Sequence, residues 1–223
     1  MPKEPIDLAA GSDGTMQIAR AVAIQEYAQV ESNLAKLFTA LLGTGARKGS
    51  IVFFALMNAR SRNSILESLL KEEYGNMYNA YWYGEPAGQV KRKTGGLITL
   101  IRQLDEERNR IVHWHSVQQI EGAKKSEVLL PPHFWLRGGT RDPLTTESLV
   151  AFAQKANFVH RSIAMFNLLA TNLFTTVQDQ ISTDAKQTWH NIFAQPALYP
   201  PSNTHPLSQN YAAPQNPPQS SRE

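Results

Sequence analysis

Two stretches of this chain repeat apolar residues at alternating steps of four and three, and that spacing constrains the fold more than any other feature. Ala23, Tyr27, Val30, Leu34, Leu37 and Leu41 keep it in the first stretch. Leu97, Ile101, Leu104, Arg108, Ile111 and His115 keep it in the second. Side chains so spaced fall on one stripe of an α-helix, and such a stripe must be covered by neighbouring helices. The chain therefore reads as all-α, a four- to five-helix up-down bundle whose first helix packs nearly antiparallel to a neighbour.

Boundaries follow from caps and breakers. Residues 1–13 hold Pro2, Pro5 and Gly11 and read as a flexible leader ending at a Ser12 or Asp13 cap. The helical domain is placed at 14–194. Helix one is expected from about Thr15 to Leu42 and helix two from about Ser50 to Tyr74. Helix two is apolar on most sides through Ile51-Val52-Phe53-Phe54, which suits a central helix or a dimer face. Gly75 to Gly96 reads as a loop carrying Tyr78, Tyr81, Trp82 and Tyr83. Helix three opens at Lys91-Arg92-Lys93 or at Gly95-Gly96 and ends near Trp114. Between about 117 and 144 the pattern changes to a small β-hairpin insertion, Val117–Ile120 and Glu127–Leu130 flanking Gly122-Ala123-Lys124-Lys125. Helix four should run from Thr146 to about Gln178, with a short helix around Thr183–Phe193. Seven of the chain's 13 prolines lie beyond Gln195, so 195–223 reads as a disordered Pro-rich tail.

Composition narrows the classes. Hydrophobic residues make up 42% and charged residues 18%, which fits a folded domain. The formal charge of +3 is compatible with a polyanionic partner without requiring one. With no cysteine, disulfide frameworks and thiolate metal sites are excluded. His133, His160, His190 and His205 share no metal-ligand spacing, and no phosphate loop, dinucleotide fingerprint or serine-nucleophile elbow occurs. No metal and no cofactor are therefore expected. The absence of a long apolar stretch, and an N-terminus lacking an apolar signal core, lead us to expect no membrane segment and a cytoplasmic location.

The second stripe contains a cation where an apolar residue belongs. A guanidinium taken from water needs a counter-charge or hydrogen bonds, so Arg108 is held either for structure or for function. It opens the run Arg108-Asn109-Arg110-Ile111-Val112-His113. On an ideal helix Asn109 and His113 lie one turn apart on a face continued by Arg102 and Glu106, with Arg108 100° round from Asn109.

Arg-Asn-x-x-x-His late in a helix of an all-helical chain resembles the signature of HEPN domains. The resemblance covers the motif and the helical context from about Thr15 to Thr176. It implies a small bundle that commonly forms a homodimer, with paired motifs lining a cleft that in active members cleaves RNA without metal. Toxin, phage-defence and RNA-stress roles come from the family alone. So does an antitoxin or regulatory protein as partner. A large toxin branch carries tyrosine two residues after the histidine, where a nucleotidyltransferase can modify it. Here that position is His115, so tyrosine modification is not implied, while the Arg-His chemistry is unaffected.

The residue set suits that chemistry. Metal-free cleavage needs a base for the ribose 2′-hydroxyl, a cation for charge developing on phosphate and a proton for the departing 5′-oxygen. Histidine in general can fill either proton role near neutrality, and arginine matches phosphate oxygens bidentately. The catalytic candidates are His113 as base or acid, Arg108 as phosphate clamp and Asn109 as the orienting group. Arg102, His115, Lys91, Arg92 and Lys93 are candidate RNA contacts, the last three following the Tyr-Trp-Tyr of the preceding loop. Each has a structural counterpart. Arg108 can pair with Glu26 or Glu31, and His113 can simply favour a helix C-terminus. Arg102 and Arg110 can each pair with Glu106. Trp114 reads as a packing anchor and His115 as a core histidine. Arg60-Ser61-Arg62-Asn63 can line the same cleft or face solvent.

Overall fold

The first stripe forms α1 (Thr15–Leu41), with Ala23, Tyr27, Val30, Leu34 and Leu37 all buried. A computed structural model of the chain describes residues 14–56, 58–84, 95–121, 124–132, 142–171 and 183–208. After α1 the chain turns at Gly43, whose φ of 61° favours glycine. It doubles back as α2 (Ala46–Ala55), placing Phe53 5.5 Å from Phe38, ring centre to ring centre.

Helix two was expected to be continuous to Tyr74, and it is not. Leu56 is extended, and Asn58 caps a new helix, α3 (Ala59–Tyr74), by accepting from the Ser61 amide at 2.7 Å. An N-cap oxygen satisfies an amide that the helix leaves unpaired, and this outweighs an unbroken apolar run. The break also makes α2 peripheral: Phe53 is buried, whereas Ile51, Val52 and Phe54 are exposed.

The expected loop after α3 contains a short helix, α4 (Asn79–Tyr83). Its Tyr81 and Trp82 are buried against Phe166, Trp82 at 5.1 Å edge-on and Tyr81 stacked at 6.1 Å. These rings are core, so they offer no platform for bases. The motif helix, α5, spans Gly96–His113. A Cβ on Gly96 would meet the Gly84 nitrogen at 2.5 Å and the Trp82 oxygen at 2.6 Å, so glycine permits the close approach of α4 and α5.

The hairpin is present but longer than expected. Strands β1 (His115–Glu121) and β2 (Lys124–Leu130) pair antiparallel with His115 opposite Leu130. Pairing starts early because α5 stops at His113 and Trp114 is already extended. Leu129 and Leu144 exchange backbone hydrogen bonds of 2.9 and 3.1 Å, which fastens the hairpin to the entrance of α6 (Thr146–Ala170). That helix ends at Ala170, short of Gln178, and residues 172–182 lie outside the described ones. A final helix, α7, spans Thr183–Phe193 as expected.

Tyr27 meets Phe152, Glu26 meets Asn157 and Asn33 meets His160, so α1 and its principal neighbour α6 run in the same direction. Contacts of α1 with α5 run the other way, Tyr27 to Asp105 and Arg20 to Val112, which makes that pair antiparallel. The extra reversal at α2 accounts for both.

The segment after α7 corrects one expectation. Ala197 is buried, Tyr199 lies 5.6 Å from Phe158, and the His205 ring lies 5.4 Å from Phe158 and 5.9 Å from Trp189. Residues 195–208 therefore pack on the bundle instead of starting a free tail. Their apolar content is too low to fold alone but enough to coat an existing core. Residues 209–223 lie outside the described ones. No helix among the described residues is long and apolar enough to cross a membrane.

Candidate functional site

The motif lies on the last two turns of α5. Arg108 is half-buried, its guanidinium 5.5 Å from the centre of the Tyr27 ring, and its Nη1 donates to Asn109 Oδ1 at 3.2 Å. Asn109 and His113 are exposed. Neither carboxylate offered to Arg108 by the sequence is its partner. Glu26 accepts from Asn157 Nδ2 at 3.1 Å and lies 3.1 Å from His160 Nε2, while Glu31 pairs with Arg62 at 2.8 Å. Among the described residues Arg108 forms no ion pair. His160 is held below the ordinary histidine range, chiefly by burial, with Glu26 opposing the shift.

A polar node lies beneath Arg108. The Tyr27 hydroxyl donates to Asp105 Oδ1, and Asn63 Nδ2 donates to Asp105 Oδ2 at 3.2 Å. Burial, reinforced by Asp105, pushes the Tyr27 hydroxyl far up. Burial also raises the Asp105 carboxyl, against the hydrogen bonds from Tyr27 and Asn63 that stabilise its anion. The node joins α1, α3 and α5. Sequence reasoning missed it, although Asp105 stands three residues before Arg108 and shares its side of the helix.

A second residue was missed at the other end of the motif. Arg20 Nη2 donates to the carbonyl of Val112 at 3.0 Å and to that of Trp114 at 3.2 Å. These are the two residues flanking His113. The signal was available: Met16 and Arg20 continue the four-three spacing that leads into Ala23 and Tyr27.

The remaining candidates separate. Arg102 pairs with Glu67 of α3, not with Glu106, and its side chain stays 51% exposed. Arg110 lies 5.9 Å over the Trp114 ring and is not paired with Glu106. Trp114 is buried as a packing anchor. His115 is no core histidine: the helix ends before it, so the stripe is lost and it is an exposed first residue of β1. Arg62 and Asn63 are engaged by Glu31 and Asp105, while Arg60 is exposed. Lys91, Arg92, Lys93 and His133 lie outside the described residues.

Two of the cavities among the described residues lie beside α6. One of about 850 Å³ lies between α1, α6 and the 199–208 segment, and one of about 390 Å³ between α5 and α6. Arg108, Asn109 and His113 line neither. Among the described residues, no group of three His, Asp or Glu side chains is placed to hold a metal ion. The motif thus presents an edge with a cation, an amide and an imidazole outside both of these cavities. No family model, curated protein or solved structure matches the chain.

Proposed function

We propose that this chain is a metal-independent endoribonuclease of HEPN type whose site is completed at the cleft of a homodimer. One observation carries the reading: Arg108 has no carboxylate partner among the described residues, and the two that the sequence offers it, Glu31 and Glu26, are held by Arg62 and His160. A guanidinium kept half-buried without a counter-charge is available to a phosphate. The exposed apolar row Ile51, Val52 and Phe54 on α2 is consistent with self-association.

Two motif edges related by a two-fold axis place two Arg108 and two His113 side chains around one phosphodiester. One imidazole takes the proton of the 2′-hydroxyl as that oxygen attacks phosphorus. The Arg108 pair stabilises the charge on the non-bridging oxygens, and the second imidazole protonates the departing 5′-oxygen. The products are a 2′,3′-cyclic phosphate and a 5′-hydroxyl. Toxin, phage-defence and RNA-stress settings, a cytoplasmic location and an antitoxin or regulatory partner belong to this proposal.

A second reading, a non-catalytic HEPN-like domain for dimerisation, RNA binding or partner docking, is favoured by the absence of the motif from either cavity. Purified wild type, His113→Ala and Arg108→Ala are to be incubated with single-stranded and structured RNAs in EDTA. Cleavage by wild type, lost in both variants and leaving cyclic-phosphate ends, is the expected result. A folded, dimeric wild type that cleaves none of the RNAs overturns the nuclease in favour of the scaffold.

A further inference from the structure

We infer that Arg20 is a positioning residue for His113, an inference that rests on the reading of the motif as a cleavage site. A helix end leaves its last carbonyls without intrahelical partners. At the end of α5 the Arg110 carbonyl is taken by the Trp114 amide at 2.9 Å, and the Val112 carbonyl is taken by Arg20. The same Nη2 reaches past His113 to the Trp114 carbonyl, where the chain has already turned into extended geometry. Arg20 thus pins the peptide unit before His113 and the one after Trp114, while the unit between them is held within α5 by the Trp114 amide. The backbone that carries the imidazole is thereby held from α1 on either side of the Trp114 amide bond.

The clamp and the Arg108 support lie on one helix. Tyr27, whose ring lies under Arg108, follows Arg20 by seven residues, about 10.5 Å along α1. α5 fixes the separation of Arg108 and His113, and α1 supports the side chain of the first and the backbone beside the second. Arg20 is part-buried, and its one guanidinium nitrogen satisfies two carbonyls at once. The cation also suits the negative end of the α5 dipole.

The test compares wild type, Arg20→Gln and Arg20→Lys as full chains, with Lys71→Gln at the exposed end of α3 as control. Amide hydrogen exchange is measured without RNA, and turnover and half-saturation are measured with it. Arg20→Gln should accelerate exchange at residues 112–116 with α6 unaffected. It should lower turnover about tenfold or more, with half-saturation changed by less than about twofold. Arg20→Lys should recover part of the turnover. Unchanged exchange at 112–116 overturns the inference, as does a raised half-saturation with normal turnover, which would make Arg20 a substrate contact. Full activity of Arg20→Gln beside a dead His113→Ala overturns it with the nuclease intact. If wild type cleaves nothing, the nuclease reading fails and the exchange data alone decide the clamp.

Discussion

The Arg108 guanidinium lies over the ring of Tyr27, and the hydroxyl of that same ring donates to Asp105. One side chain of α1 therefore supports the cation of the motif and satisfies the acid beneath it. Tyr27→Phe separates the two roles. It keeps the ring but leaves Asp105 with Asn63 as its remaining donor, and should cost about 1–3 kcal/mol of stability in urea unfolding. Arg108→Ala should cost less, about 0.5–1 kcal/mol, because a partly exposed cation over a ring contributes little. A loss of RNA cleavage in Arg108→Ala is then separable from unfolding. An Arg108→Ala cost as large as that of Tyr27→Phe would contradict this division.

Asp105 sets the sign of an acid-side pH dependence. Its carboxyl is raised in the folded chain, mainly by burial, so the folded state holds its proton to higher pH than the unfolded state does. Stability from this group is therefore fully present below the ordinary aspartate value and is lost as pH rises through the raised one. Asp105→Asn removes the titration. Plotted from about pH 4 to 7, the stability difference between wild type and Asp105→Asn should fall as pH rises. A flat difference would show that Asp105 titrates as an exposed acid does.

Gly49 lies where α2 crosses α1, and a Cβ there would stand 2.4 Å from Thr39 Oγ1 and 2.9 Å from Thr39 Cβ. Thr39 is buried and its hydroxyl donates to the Ala35 carbonyl at 2.8 Å, so it has little room to yield. Gly49→Ala should destabilise by about 1–3 kcal/mol despite the better helix propensity of alanine. Adding Thr39→Ala should recover part of that loss. Strict additivity of the two substitutions in thermal unfolding would place the strain elsewhere.

What the sequence made legible was periodic, and what it hid was polar or local. The stripes of α1 and α5 became buried seams because alternating steps of four and three admit one helical face. The hairpin was visible because its period changes. The break at Asn58 was not, since a single capping amide interrupts an apolar run whose pattern carries no trace of it. Tyr81 and Trp82 read as loop residues because short helices such as α4 show no period, and Phe166 and Phe193, which cover them, are distant in sequence. Within the candidate site, Arg108 was found as a cation in a stripe. The same test applied to α1 would have found Arg20. That Arg108 pairs with neither Glu26 nor Glu31 could not be read from spacing, because these are claimed by His160 and Arg62 through tertiary contacts.

The packed C-terminal segment should loosen on acidification. The Leu207 amide donates to His205 Nδ1 at 3.1 Å, so that nitrogen is an acceptor and carries no proton. The ring lies against Phe158 and Trp189, and burial holds its pKa below the ordinary histidine value. With the folded value below the unfolded one, the stabilising contribution is present above about pH 6.5 and is lost as pH falls through that value, where the released segment binds the extra proton. Protonation at Nδ1 also removes the acceptor of the Leu207 amide. Hydrogen exchange at residues 197–208, corrected for intrinsic rates, should therefore quicken between about pH 7.5 and 5 in wild type. His160 shifts in the same direction, so the global midpoint also falls, and a second variant is needed to assign the local change. His205→Asn supplies it, because an asparagine oxygen can accept from the amide two residues on without titrating. The pH dependence at 197–208 should flatten in that variant while that of α6 persists, and an undiminished dependence would assign the effect to His160.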